Sequence, residues 1–113
     1  MDALQETVTV ETYKGFEIEF TPLVEYVPLE DAFDGSVMDI DELRDKIETH
    51  KADYFCAKVS VSKNGIELAS DYLGCCYYDE VEDFYTKYKD DYYSDMRETV
   101  VDEAIQVIKG LNS

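Results

Sequence analysis

Apolar and polar residues alternate in four stretches of the chain, and this period of two is typical of half-buried β-strands. The stretches are residues 7–12, 16–21, 54–62 and 66–72. The dipeptides Lys14-Gly15 and Asn64-Gly65 separate them into two pairs. Because a glycine in a two-residue loop suits the positive φ angles of a tight turn, the pattern predicts two β-hairpins.

The same alternation assigns a face to each strand residue. We expect the inward positions of the third and fourth strands to be Phe55, Ala57, Val59, Val61, Ile66, Leu68, Ser70 and Tyr72. We expect the polar face of the first hairpin to carry Glu11, Glu17 and Glu19. Gly74 is expected to mark a bulge or a strand end, since it breaks an otherwise continuous strand pattern.

Two segments have the helical period of apolar residues. In the first, 39–51, Asp39 is the predicted N-cap and Glu42 completes a capping-box spacing. The second, 79–111, lacks Gly and Pro up to Lys109, and we divide it into two helices near Asp90-Asp91. The order ββαββαα predicts one α+β domain over residues 1–113. It is a four-stranded antiparallel sheet of two hairpins with helices packed on one face.

Charge adds information about partners. The 113 residues include 27 acids and 10 bases, for a net charge of −17, while 45% of the residues are apolar. The apolar content is enough for a folded core despite the charge. An acidic surface repels nucleic acid and anionic membranes, so the expected partners are basic proteins or metal cations. A surface whose acidity only keeps the protein in solution stays open as the alternative.

Acidic residues of the C-terminal segment line up if residues 91–111 form one helix. The predicted stripe consists of Asp91, Asp95, Glu98 and Asp102. It would extend over about 16 Å at a rise of ~1.5 Å per residue. A DNA strand would place about five phosphates over that length. The similar charge density suggests that carboxylates stand in for phosphates, with Glu80 and Asp83 in support.

Seven of the ten tyrosines lie between Tyr72 and Tyr93, interleaved with acids. The tyrosines predicted to pack in the core are Tyr72, Tyr85 and Tyr88. Those predicted to anchor a partner are Tyr77, Tyr78 and Tyr92. A tyrosine beside a carboxylate suits a partner that presents arginine, because the carboxylate can pair with the guanidinium while the ring takes a cation–π contact.

Residues for catalysis or metal binding are sparse. His50 is the single histidine, and we expect a helix-end residue there. Cys56, Cys75 and Cys76 supply three thiols without a clear fourth ligand. We expect no catalytic residues, metal or cofactor. An odd number of cysteines suits a reducing compartment, and no basic, apolar signal is visible at the N-terminus, so we expect a cytoplasmic protein.

The acidic loop 30–35 was compared with a calcium-binding EF-hand loop. With Gly35 placed at the glycine position, Ala32 falls on a ligand position and Asp41 falls where a bidentate glutamate is required. The comparison excludes an EF-hand and leaves a nonstandard weak calcium site open.

In its character the chain resembles the DNA-mimic inhibitors of phages and mobile elements, such as anti-CRISPR and antirestriction proteins. The likeness rests on composition and charge spacing, without a motif. It implies an inhibitor or regulator that occupies a basic, nucleic-acid-binding surface of a partner protein in the host cytoplasm. Two alternatives stay open. One is an immunity or antitoxin-like protein that neutralises a basic toxin, and the other is a homo-oligomeric structural or assembly protein, for example a homodimer.

Overall fold

The computed structural model describes residues 3–111 and contains one antiparallel sheet with the strand order β1-β2-β3-β4. The strands are β1 (Val8–Tyr13), β2 (Phe16–Val24), β3 (Asp53–Lys63) and β4 (Ile66–Tyr78). The helices are α1 (Leu29–Ala32), α2 (Ile40–Glu48) and α3 (Tyr93–Leu111), with a 3₁₀ helix at Val81–Phe84. The α+β class, the four-stranded sheet and the predicted order of elements are confirmed.

Both predicted hairpins are present with two-residue turns. Lys14 and Gly15 have φ angles of 53° and 84°, and Asn64 and Gly65 have φ angles of 54° and 78°. Positive φ at both central positions gives a turn whose twist matches that of the flanking strands.

The core lies between the sheet and α3. Phe55, Ala57, Val59 and Val61 of β3 are fully buried, which confirms their predicted inward orientation. The buried residues of α3 are Tyr93, Met96, Val100, Val101 and Ala104. They recur every three to four residues, so one stripe of the helix covers the apolar face of the sheet.

A β-bulge in β1 changes the side on which Glu11 lies. Thr9 pairs with Glu19, but Glu11 pairs with Ile18, so β1 has one extra residue between these pairs. Since directly paired residues share a face, Glu11 lies on the core side together with Ile18. The prediction that Glu11 shares the polar face with Glu17 was therefore wrong, because the bulge interrupts the alternation.

A second register shift, near Leu68, exchanges the faces of β4. After this shift Leu73 packs against the core, whereas Tyr72 is 50% exposed. The predicted inward positions of Ser70 and Tyr72 were wrong, because a single extra residue moves those that follow to the opposite face. Ile66 precedes the shift and pairs with Lys63 on the predicted face, but it is 64% exposed at the start of the strand.

The segment between β2 and β3 contacts the sheet near the start of β3 and the end of β4. The hydroxyl of Tyr54 donates to the carbonyl of Val27 at 2.7 Å, and that of Tyr77 donates to the carbonyl of Leu43 at 2.8 Å. The ring of Phe33 lies 6.0 Å from that of Tyr77. Both tyrosines alternate with core residues of their strands, so this segment contacts the sheet on the side that faces away from α3. The helices are therefore not confined to one face of the sheet, whereas the sequence had predicted a single face.

Helix α2 begins as predicted. The side chain of Asp39 accepts a hydrogen bond from the backbone N–H of Glu42 at 3.2 Å. Such a cap satisfies one of the free N–H groups at a helix start. The region before it, predicted as a loop, contains the single turn α1, and buried Leu29 holds that turn against the protein.

Candidate functional site

Two adjacent concave surfaces lie at the end of β4, which is an edge strand of the sheet. Both are lined by Tyr77 and Tyr78. The first, of about 240 Å³, also includes Tyr92, and the second, of about 220 Å³, also includes Asp79, Tyr88 and Asp91. We call the six residues Tyr77, Tyr78, Asp79, Tyr88, Asp91 and Tyr92 the tyrosine cleft. All three tyrosines predicted as partner anchors are thus brought together.

A bulge at Gly74 and Cys75 sets the direction of the two central tyrosines, as predicted for Gly74. Phe55 and Ala57, two residues apart in β3, pair with residues three apart in β4, and Cys75 has a φ angle of 58°. Its backbone N–H donates to the Oε2 atom of Glu25 at 2.8 Å. This hydrogen bond holds the bulge in place beneath the cleft.

Tyr78 forms the wall between the cleft and the core. Its ring centroid lies 5.9 Å from that of Phe84 and 5.6 Å from that of Tyr88. Burial, together with the negative charge of neighbours that include Asp91, raises the pKa of Tyr78 to about 12. The cleft therefore combines partly buried rings with the carboxylate of Asp91, next to which a cation would be favoured.

Tyr88 was predicted to lie in the core, but it is 39% exposed and forms an outer wall of the cleft. The helical spacing on which the prediction relied does not extend past Phe84, because residues 85–92 form turns. Tyr85 does pack against the core, as predicted.

Asp91 does not lie on a helix, so the predicted stripe of four acids on one helical face was wrong. Helix α3 begins at Tyr93, and the backbone N–H of Asp91 donates to the carbonyl of Tyr88 at 3.0 Å. Phe84 and Tyr93 both enter the core, with ring centroids 6.4 Å apart. The chain must turn between them to reach that arrangement, and the turn places Asp91 in the cleft.

Glu98 is engaged within the protein. It accepts a hydrogen bond from the hydroxyl of Tyr13 and lies 3.8 Å from the Nζ atom of Lys14 and 3.5 Å from the Nη2 atom of Arg97. The hydrogen bond from Tyr13, more than the nearby cations, lowers the pKa of Glu98. Two cations thus offset its charge, and it is less available to a partner than the sequence predicted.

The other predicted acids lie outside the cleft. Asp95 and Asp102 are exposed on α3, about 10 Å apart along the helix axis at ~1.5 Å per residue. Glu80 is exposed and Asp83 is half-buried beside the 3₁₀ helix, and neither lines the cleft. Within residues 3–111 no ion pair involves any of these four side chains.

Sequence reasoning missed Asp79 as a member of the site. It was interpreted as a helix N-cap, but the 3₁₀ helix that follows has no side-chain cap. Its charge adds to the effect of burial in raising the pKa of Tyr77. The signal available in the sequence was the position of this acid directly after two tyrosines at a strand end.

The thiols lie in surroundings that disfavour metal binding. Burial raises the pKa of Cys76 to about 12 and also raises the pKa of Cys56, so both stay protonated at neutral pH. Across the described residues, no three His, Cys, Asp or Glu side chains are grouped as metal ligands. In the acidic loop, one oxygen of the Asp34 side chain accepts hydrogen bonds from the backbone N–H of Ser36 at 2.9 Å and from the hydroxyl of Ser36 at 2.7 Å.

The fold and site define a strongly acidic α+β protein with an aromatic and carboxylate-lined cleft at a sheet edge. No protein-family model matches the chain, and comparisons with curated proteins and with solved structures find no significant match. In the part of the chain described, no helix is both long and apolar enough to cross a membrane.

Proposed function

We propose that this protein is a binding protein without catalytic activity that occupies a basic, nucleic-acid-binding surface of another protein. The observation that carries the proposal is the size of the net charge relative to the length of the molecule. A net charge of −17 over a long axis of 53 Å is about one net negative charge per 3 Å. One DNA strand places its phosphates ~3.4 Å apart along the axis. A protein surface that binds DNA phosphates would therefore attract the acidic surface of this protein.

Most of the carboxylates are available for such an interaction. The acids in ion pairs within residues 3–111 are Glu11, Glu30, Asp41, Glu42, Glu67 and Glu98. The remaining acids of that range form no ion pair with a lysine, arginine or histidine of the described residues. Mutual repulsion of this kind lowers the stability of a compact protein. A partner with complementary charge would relieve that repulsion.

The mechanism is competitive. Long-range attraction speeds the encounter with a basic surface, and short-range contacts then hold the complex. We assign the contacts to Asp91, Asp95 and Asp102, with Glu80 and Asp83 nearby, and to the tyrosine cleft. The site of action is the cytoplasm, where nucleic-acid-binding proteins are plentiful.

Affinity capture from lysate of the native host tests the proposal. We expect basic nucleic-acid-binding proteins to be retained at about 50 mM salt and released at about 200 mM, since contacts that replace phosphates are strongly salt-dependent. Added duplex DNA should displace them, because it competes for the same surface. Capture that neither salt nor duplex DNA weakens would contradict charge mimicry.

Two sets of substitutions with equal charge change test the assigned surface. The first is Asp91→Asn with Asp95→Asn and Asp102→Asn. The control set on the α1–α2 segment is Asp31→Asn with Asp45→Asn and Glu48→Gln. We expect the first set to weaken retention more than the control. Equal losses would assign binding to the whole acidic surface. If the captured protein is a toxin nuclease, this protein acts as its antitoxin by the same competitive mechanism.

A further inference from the structure

The tyrosine cleft combines features that a diffuse acidic surface lacks. Tyr77 and Tyr78 line two concave surfaces of about 240 and 220 Å³, each large enough for a side chain but not for a folded element. Tyr92 lines the first surface and is 53% exposed, and Tyr88 lines the second and is 39% exposed. Both rings therefore present an aromatic surface to a bound side chain.

Two carboxylates complete this surface. Asp79 follows β4 directly and Asp91 lies in the turn before α3, so they come from separate parts of the chain. Both are exposed, and within the described part of the chain neither forms an ion pair. The ligand that fits such a site is a cation with flat faces that can also donate several hydrogen bonds.

The protein itself shows that an outer wall of the cleft accepts a cation. The Nζ atom of Lys87 lies 5.5 Å from the centroid of the Tyr88 ring. A lysine ammonium is compact and strongly hydrated, whereas a guanidinium is planar, weakly hydrated and able to stack on rings while it pairs with a carboxylate. Arginine therefore uses both the rings and the carboxylates of the cleft, and lysine uses mainly the charge.

We propose that the tyrosine cleft is a specific pocket for an arginine side chain of the basic partner, with Asp91 and Asp79 pairing with the guanidinium and Tyr88, which lines the same concave surface, stacking on it. This inference rests on the proposed function, because a partner rich in arginine supplies the side chain. A second copy of this chain is disfavoured as the occupant, since each copy carries a net charge of −17.

Two peptides of equal length and charge, an arginine–serine repeat and a lysine–serine repeat, test the pocket with the full chain. Calorimetry at low salt is expected to give about tenfold tighter binding of the arginine peptide, the ratio that one additional cation–π and bidentate contact produces. Backbone NMR shifts on binding should concentrate at residues 77–92. Equal affinities with shifts spread over the surface would overturn the pocket and leave charge mimicry intact.

Matched variants separate the pocket from the charge. Asp91→Asn and Tyr88→Ala should each remove most of the preference for arginine. The controls are Asp45→Asn, which makes the same change in charge on α2 outside the cleft, and Tyr72→Ala, which removes an exposed tyrosine on another surface. Both controls should keep the preference. If neither peptide binds to the unmodified protein, the pocket and the proposed function are both overturned.

Discussion

Arg97 on α3 and Glu11 on β1 lie 3.3 Å apart, and their ion pair joins the last helix to the first strand. The hydroxyl of Tyr93 donates to the same carboxylate at 2.6 Å, and the guanidinium of Arg97 lies 4.1 Å from the centroid of the Tyr13 ring. The pair exists because the bulge in β1 turns Glu11 towards α3. It fixes an edge strand that otherwise contacts only β2 in the sheet.

Replacing Arg97 with alanine should destabilise the protein. The change leaves the Glu11 carboxylate without its cation at a partly buried position. We expect the free energy of unfolding to fall by about 2–3 kcal/mol, less than a fully buried pair would cost, because the Arg97 side chain is 21% exposed. Urea denaturation at neutral pH measures the loss.

The control for this prediction is Arg44→Ala. Arg44 pairs with Glu30 and Asp41, but its side chain is 41% exposed. Exposed pairs contribute little, so the loss should stay below about 1 kcal/mol. Similar losses for the two variants would show that the interface between α3 and β1 does not depend on the ion pair.

Replacing Phe84 with alanine should cost more stability than any surface change. Phe84 is fully buried, and its ring centroid lies 5.5 Å from that of Phe20 and 6.4 Å from that of Tyr93. We expect a loss of about 3–5 kcal/mol, which is typical when a large core side chain is truncated. Thermal and urea unfolding of this variant and of the exposed control Val37→Ala make the comparison. A loss below about 1 kcal/mol for Phe84→Ala would contradict this packing.

Deprotonation of Tyr78 in strong alkali should lower the free energy of unfolding. Its pKa is raised from 10.0 to about 12 in the folded protein, so folding favours the protonated form. The contribution is fully present below pH 10 and is lost as the pH rises towards 12. Urea midpoints measured across this range should decline, and Tyr78→Phe should show a shallower decline. Identical pH profiles for the two proteins would refute the assignment to Tyr78.

Salt should stabilise the free protein. Raising NaCl from about 10 mM to about 150 mM shortens the Debye length from about 30 Å to about 8 Å, which screens repulsion among the carboxylates. We expect the melting temperature to rise by about 5 °C, which corresponds to roughly 1 kcal/mol for a small domain. A variant with Asp95→Asn, Asp102→Asn and Glu103→Gln should respond less. A melting temperature that falls with salt would show that attractive ion pairs dominate.

Local signals in the chain are enough to predict the strands, the start of α2 and the order of the elements, because these depend on neighbouring residues. Alternation predicted the strands, Asn64-Gly65 predicted a tight turn, and Asp39 predicted the start of α2. Each of these signals acts within a few residues through backbone geometry or a local hydrogen bond. The acid content likewise predicted an attraction to cations without any knowledge of the fold.

Which distant residues come into contact depends on strand register and packing, which local patterns do not reveal. The bulge in β1 turned Glu11 inward, the shift in β4 turned Tyr72 outward, and the joint burial of Phe84 and Tyr93 left Asp91 in the turn before α3. These outcomes depend on strand register and on packing between distant segments, and one extra residue moves a whole strand to its other face. The tyrosine cleft arose in the same way, since the burial of Tyr93 carried Asp91 to the end of β4.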